Sequence, residues 1–356
     1  MKEHLVLYAP NVHTGGGLVL LKELLDSWSG DNLTLFLDFR TRNRLEPPCE
    51  AKIFWVKPSF ASRIWGEVAL LRKSKKGTKI LCFHGLPPLL HSCAHVIVFL
   101  QNRNYIGTES YSNFTLKTCI RLFLERFFGR LFSSNVSEYI VQTPSMKRAL
   151  IEWGARFNKG ALDSKIEVIP FANRIINNIG VHPNKFQWDF IYIADGEGHK
   201  NHRNLILAWQ LLAAENLRPS LGLTLSVRDQ ALKFEVDELR KNSLVKVFDL
   251  GQMSRDNIFL LYADARALIF PSISESFGLP LIEASALNLP ILASELDYVR
   301  DVCVPVETFD PGSPVSIARA VKRFLGCPEP TLDLKQPTEV WDALRRNRPP
   351  YQNLNL

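Results

Sequence analysis

Two doubly wound α/β domains facing a common cleft are predicted by three observations on this sequence. Short apolar runs alternate with segments of helical length and period, the alternation is completed twice, and a polar stretch bearing Asn and Gly, residues 173–187, separates the two rounds. The length of 356 residues is also long for one core and about right for two.

Taken in order, Leu5 to Tyr8, Leu33 to Leu37, Lys79 to Phe83, His95 to Leu100 and Tyr139 to Gln142 read as strands. Gly17 to Trp28, Phe114 to Phe132 and Ser145 to Trp153 read as helices. The run Ile166 to Pro170 closes this round, so residues 1–172 form a first Rossmann-like domain and 173–187 the linker. In the second round Phe190 to Ile193, Leu223 to Val227, Lys246 to Leu250, Ala267 to Phe270 and Pro290 to Ala293 are strands. Helices fall at Arg203 to Ala213, Lys233 to Lys241, Arg255 to Asp264, Pro280 to Ala286 and Pro314 to Leu325. The second domain is thus 188–326. A proline-rich polar tail, 327–356, holds one short helix candidate at Glu339 to Arg345 and either crosses back to the first domain or frays.

Composition narrows the function classes. Hydrophobic residues make up 46% and charged ones 22%, as in an ordinary globular protein, and no apolar run approaches the ~20 residues that span a bilayer. The N-terminal apolar run is too short for a signal peptide, so a cytoplasmic location, or one on the cytoplasmic face of a membrane, is expected. Six cysteines without a C-x₂-C pair then imply reduced and mostly buried thiols. The net charge of +7 is unevenly spread: Arg72, Lys73, Lys75, Lys76 and Lys79 cluster, and Lys117, Arg121, Arg126 and Arg130 punctuate the Phe- and Leu-rich segment 114–132. That segment reads as a basic amphipathic helix, suited either to packing on a sheet or to an anionic membrane surface. No helix-turn-helix, zinc-finger or RNP pattern supports nucleic-acid binding.

Chemistry concentrates in two glycine loops of the second domain. In the first, Pro271 ends a buried strand, Glu275 and Ser276 lie on the loop, Gly278 can take angles closed to other residues, and Pro280 suits a first helical turn that carries Glu283. A strand's C-terminal end feeding a helix is where open α/β sheets bind ligands, and free N–H groups there suit an anion. In the second loop, Ala194 to Arg203, the residues Lys200, His202 and Arg203 crowd a helix start that disfavours cations, which suggests that an anion completes the site. A third glycine loop, His13 to Gly17, follows the first strand but lacks the last glycine of G-x-G-x-x-G, and the chain has no P-loop.

Glu275-x₇-Glu283, with Phe277, Gly278, Leu279 and Pro280 between, resembles the E-x₇-E signature of glycosyltransferase family 4, the retaining nucleotide-sugar enzymes of the GT-B fold. The resemblance extends through Leu250-Gly251-Gln252, Leu260-Leu261-Tyr262, Ala265 and Pro290 to Ser294, covering most of the second half, and reaches the first half only in outline. It implies a GT-B fold and a sugar moved from a UDP- or GDP-sugar donor to a glycan or a polyprenyl- or other lipid-linked acceptor, in bacterial surface polysaccharide, O-antigen or lipopolysaccharide synthesis. It further implies that Glu283 accepts from the ribose and Glu275 holds donor-sugar hydroxyls. Ser276 and the backbone N–H groups of Phe277, Gly278 and Leu279 would meet sugar or phosphate, Gly16 and Gly17 would approach the phosphates, and Lys200 would grip the diphosphate. The Arg expected shortly before Lys200 is missing, Asp195 and Gly196 standing in its place, with Arg203 or His202 as possible substitutes. The polar group that meets the donor sugar is either Gln101-Asn102 or His84-Gly85. With no D-x-D in the sequence, a metal-free route resting on Lys200 is expected. The rivals are an epimerase or phosphorylase on the same fold and a non-catalytic scaffold subunit.

Overall fold

The computed structural model describes residues 4–30, 32–106, 116–157, 162–172, 186–242 and 245–329. Nearly all of the expected linker 173–187 and the tail helix candidate lie outside them, as do the first residues of segment 114–132.

The first domain is a seven-stranded sheet in the order β3-β2-β1-β4-β5-β6-β7, all parallel. Its strands are β1 (His4–Ala9), β2 (Leu33–Asp38), β3 (Lys52–Val56), β4 (Thr78–Cys82), β5 (His95–Phe99), β6 (Glu138–Val141) and β7 (Ile166–Val168); its helices are α1 (Gly15–Asp26), α2 (Phe60–Lys73), α3 (Leu116–Leu131) and α4 (Pro144–Arg156). Alternation along β1 sends Val6 and Tyr8 to one face and Leu7 and Ala9 to the other, where two separate cores form. Every residue of β2 is buried, as expected of a strand covered on both faces.

The second domain is a six-stranded parallel sheet, β10-β9-β8-β11-β12-β13. It comprises β8 (Trp188–Tyr192), α5 (His202–Ala214), β9 (Leu221–Leu223), α6 (Gln230–Asn242), β10 (Val247–Asp249), α7 (Arg255–Ala263), β11 (Ala265–Phe270), α8 (Leu279–Ala286), β12 (Ile291–Ser294), α9 (Asp297–Arg300), β13 (Glu307–Phe309) and α10 (Pro314–Phe324). One core fills it, with Phe190 edge-on to Trp209 and to Phe324.

Four elements go beyond the sequence reading: β3, α2, α9 and β13. The expected strand Leu223 to Val227 is displaced toward the N-terminus, because Ser226 and Asp229 bond to one another and turn the chain away from the sheet after Leu223. The thiols are free but not mostly buried: Cys82 and Cys303 are, whereas Cys49, Cys93 and Cys327 are exposed. No helix among the described residues is long and apolar enough to cross a membrane.

In both sheets the strand order reverses beside the first strand, between β1 and β4 and between β8 and β11. The loops leaving the C-terminal ends of these four strands therefore open into crevices where such sheets bind ligands. The two crevices face each other.

Candidate functional site

The loops after β8 and β11 are built as one unit. The Ile273 N–H donates to the His199 carbonyl at 2.9 Å, and the side-chain amide of Asn201 donates to the carbonyls of Pro271 and Pro311 at 3.0 and 2.7 Å. Asn201 adopts a left-handed conformation with φ 61°, which Asn tolerates better than most residues. From beneath, buried Tyr192 donates to the Lys200 carbonyl at 2.8 Å and lies 2.9 Å from Ser272 Oγ, while Tyr298 donates to the Ser272 carbonyl at 2.7 Å. The result is that Lys200 Nζ and Glu275 Oε1 meet at 2.7 Å, both side chains largely buried. Burial works to lower the Lys200 pKa, but the charge and hydrogen bond of Glu275, aided by Asp195 and Glu197, outweigh it and leave the ammonium more firmly protonated than usual.

Where the resemblance expects an arginine, the backbone is pinned instead. Asp229 accepts from the Gly196 N–H at 2.9 Å and from both the N–H and the hydroxyl of Ser226. A Cβ at Gly196 would lie 2.7 Å from the Asp229 carboxyl carbon, so the loop excludes a side chain there. His202 does not replace the lost cation: it is buried, neither ring nitrogen has a partner, and burial pushes its pKa down to about 3. Arg203 does fit, exposed at the mouth of α5, and the cleft wall adds Arg44, Arg121 and Arg228, which the sequence reading did not single out for the site.

Glu283 is not the solvated acid that a first helical turn usually carries. Gly278, at φ 69°, caps α8, and the helix brings Glu283 into a buried position where Tyr262 donates to it at 3.0 Å. Arg255 approaches its other oxygen at 3.6 Å and bonds Glu23 of α1, in the first domain, at 2.5 Å. Burial raises the Glu283 pKa, Arg255 and Tyr262 oppose that, and Glu23 adds to it. Arg255 thus bridges two buried carboxylates from different domains. Replacing it by Ala leaves both without the shared cation; given its own partial exposure, we expect a loss of about 1–3 kcal/mol. Urea unfolding of Arg255→Ala measures this, and the double variant Glu23→Gln, Arg255→Ala should regain part of the loss.

The first domain supplies the opposite wall. Gly16 faces Leu279 so closely that a Cβ would lie 3.1 Å from the leucine Cδ1, and a Cβ on Gly17 would lie 2.9 Å from Gln101 Oε1. Gln101 is fixed in turn by donating to the Phe83 carbonyl at 2.8 Å. An inner cavity of about 310 Å³ is lined by Gly17, His84, Gln101, Asn102, Lys200 and Glu275, among others, so both first-domain candidates for the sugar contact reach the same place. Arg103, Glu197 and His199 line it too; Glu197 and His199 lie on the second glycine loop singled out in the sequence, but none of the three was named for the site. Burial holds His84 neutral, at about 4, and raises Glu197. The larger cleft, about 2140 Å³, runs from this cavity past Gly278 and Glu283 to Gln252 and Met253. Thr143 closes one side by donating to the Ser276 carbonyl across the domains at 3.2 Å. Phe277 is buried, serving the loop through packing and backbone.

The structure therefore brings Gly16, Gly17, Lys200, Arg203, Glu275, Ser276, Phe277, Gly278, Leu279 and Glu283 around one interdomain cleft. With that geometry in view, comparison with known proteins gives a consistent picture. Residues 176–340 match the family model described as "Glycosyl transferases group 1". The serotype-specific mannosyltransferase WbdA of Escherichia coli is 31% identical over 141 residues, 38% of this chain and 17% of that protein. O-antigen chain mannosyltransferase B, also from Escherichia coli, is 33% identical over 116 residues, 32% of this chain and 30% of its own length. The matched stretches thus span less than a third of these relatives. Among solved structures, Anabaena HepE with UDP and glucose superposes with TM-score 0.61 at 14% identity, covering 91% of this chain and 90% of that one. Sucrose-phosphate synthase from Thermosynechococcus elongatus gives 0.63 at 14% identity, with the same shares covered. Residues 176–340 therefore match the glycosyl transferases group 1 family, and the fold of the whole is GT-B.

Proposed function

We propose that the protein is a retaining glycosyltransferase that moves a sugar, mannose by analogy with its Escherichia coli relatives, from a nucleoside diphosphate donor to a glycan or lipid-linked acceptor of a bacterial O-antigen or related surface polysaccharide. The observation that carries this reading is the Lys200–Glu275 pair, set between Glu283 and the Gly16–Gly17 loop in one cleft. Glu283, buried and oriented by Tyr262 and Arg255, accepts from the ribose hydroxyls. Lys200, Arg203 and the N-terminus of α5 face the diphosphate and stabilise the charge that develops as it leaves, without requiring a metal ion. Glu275 holds hydroxyls of the donor sugar in the inner cavity, opposite Gln101, Asn102 and His84. In the reaction the bond from the anomeric carbon to the phosphate oxygen breaks and one to the acceptor oxygen forms on the same face, the acceptor proton passing to the departing phosphate. The domains exclude water by closing on the donor.

Calorimetric titration with UDP, GDP and ADP tests the reading. One nucleotide should bind, and Glu283→Ala should weaken it at least about tenfold, the loss of hydrogen bonds to a charged group. Binding of none would overturn the proposal in favour of a non-catalytic scaffold, a reading whose one support is the missing cation at Asp195-Gly196.

A further inference from the structure

The first domain carries two helices whose apolar faces point the wrong way. On α3, Ile120, Phe123, Leu124, Phe127, Phe128 and Leu131 follow the i, i+3, i+4, i+7 spacing that normally turns a stripe to the core, yet each is between 40% and 60% exposed. The inward contacts of α3 come instead from Leu122, which is fully buried, from Arg126, whose Nε donates to the Asn104 carbonyl at 2.7 Å, and from Gly129 against Leu86. Helix α2 repeats the pattern. Phe60, Ile64, Val68 and Leu71 share a face, with Trp65 at its edge; Phe60 is 81% exposed and Trp65 49%. This second stripe escaped the sequence reading.

The two stripes belong to one surface. Between the helices runs the loop after β4: the Leu89 N–H donates to Glu67 of α2 at 2.9 Å, and Asn135, just past α3, donates to the Pro88 carbonyl at 3.0 Å. Leu89 and Leu90 at its crest are exposed as well, adding apolar area between the helices. An apolar surface of this extent marks an interaction site. Its charge says with what. The only acidic residues of α2 and α3 are Glu67 and Glu125, both partly buried; Glu67 is held by Tyr8 and Leu89, and Glu125 faces Arg121. Among the described side chains of the two helices the exposed charges are Arg72, Arg121 and Arg130, with Lys75 and Lys76 following α2 directly, all cationic. Exposed Phe, Trp and Leu set beside Lys and Arg is the composition that inserts at a bilayer interface and is held there by anionic headgroups.

We infer that α2, the loop at 86–90 and α3 dock on the surface of an anionic bilayer. The face adjoins the cleft: Arg121 of α3 lines its wall, and His84, at the start of the intervening loop, lines the inner cavity. An acceptor anchored in the bilayer would then meet the site without leaving the membrane. The docking itself does not rest on the transferase reading and is measured without donor or acceptor.

The test is co-sedimentation of the full chain with vesicles of phosphatidylglycerol and phosphatidylcholine in equal parts, and with phosphatidylcholine alone. Binding to the anionic vesicles should exceed binding to the neutral ones at least about tenfold and fall as salt is raised. Phe123→Ser, Phe127→Ser should lower it about tenfold or more, and so should Lys75→Glu, Lys76→Glu, while circular dichroism and urea unfolding show both variants folded. No anionic binding at low salt, or binding indifferent to both variants, would overturn the inference. So would light scattering that shows a dimer which the Phe variant splits, since the occupant would then be a second copy.

Discussion

Replacing Lys200 by Met is expected to lower sugar transfer by about 100- to 1000-fold, the usual consequence of removing a preorganised group that stabilises developing charge. The argument rests on geometry more than on charge alone. Two direct hydrogen bonds, Ile273 to His199 and Asn201 to Pro271, and the Tyr192 hydroxyl set between the Lys200 carbonyl and Ser272 Oγ hold the two loops together beneath Lys200, so its ammonium needs little reorganisation when the diphosphate leaves. Asp195 and Gly196 supply no cation, which leaves the task to Lys200 and the more exposed Arg203. A simple loss of folding is the competing explanation, because the substitution leaves Glu275 in a largely buried place without its partner. The double variant Lys200→Met, Glu275→Gln separates the two. It removes both charges and should unfold in urea near the wild-type midpoint, yet remain as inactive as the single variant. Affinity supplies a second readout: Lys200→Met should weaken a nucleoside diphosphate more than the corresponding monophosphate. If the double variant regained transfer, the role given to Lys200 would be wrong.

The sequence made the second domain more legible than the first, for physical reasons. Buried parallel strands such as Ala265–Phe270 read as continuous apolar runs, and the glycine and proline punctuation before α8 is unambiguous. By contrast, β3 is an edge strand with exposed Lys52 and Ile53, so it lacks the pattern that burial imposes. At the site, the residues on the two glycine loops were readable because loop geometry and charge at a helix start are local properties. Arg255, Tyr262 and Glu23 were not, since their meeting at Glu283 depends on the packing of three helices from two domains. Glu23 alone left a trace, as an acid inside the apolar run of α1 where only a buried partner makes it tolerable. The pinning of Gly196 by Asp229 likewise links residues thirty-three positions apart.

The same crowding predicts acid sensitivity. His84, His199 and His202 all border the cleft, and burial lowers their pKa values to about 4, 4 and 3 from an ordinary 6.5. Lys200 lowers His199 and His202 further, Arg63 acts on His84 in the same sense, and Glu275, Asp195 and Asp229 oppose without prevailing. A histidine depressed in the folded state takes its proton first in the unfolded chain. Its contribution is therefore complete above about pH 6.5 and is lost progressively as the pH falls toward 4. Between pH 6.5 and 5 each should cost about 1.6 kcal/mol, or roughly 5 kcal/mol for the three together. Glu67, Glu125, Glu197 and Glu283 act in the opposite sense, because burial raises their pKa values and the folded state binds those protons first. The net slope is thus smaller than the histidines alone would give, and a difference measurement isolates them. His202→Phe keeps a ring against Tyr192, whose centroid lies 4.8 Å away, and removes two unpartnered nitrogens. Between pH 7 and 5 its stability should fall about 2 kcal/mol less than that of the parent in urea titrations. Equal losses would mean that His202 titrates in the folded protein as it does in the unfolded chain, so that burial does not hold it neutral.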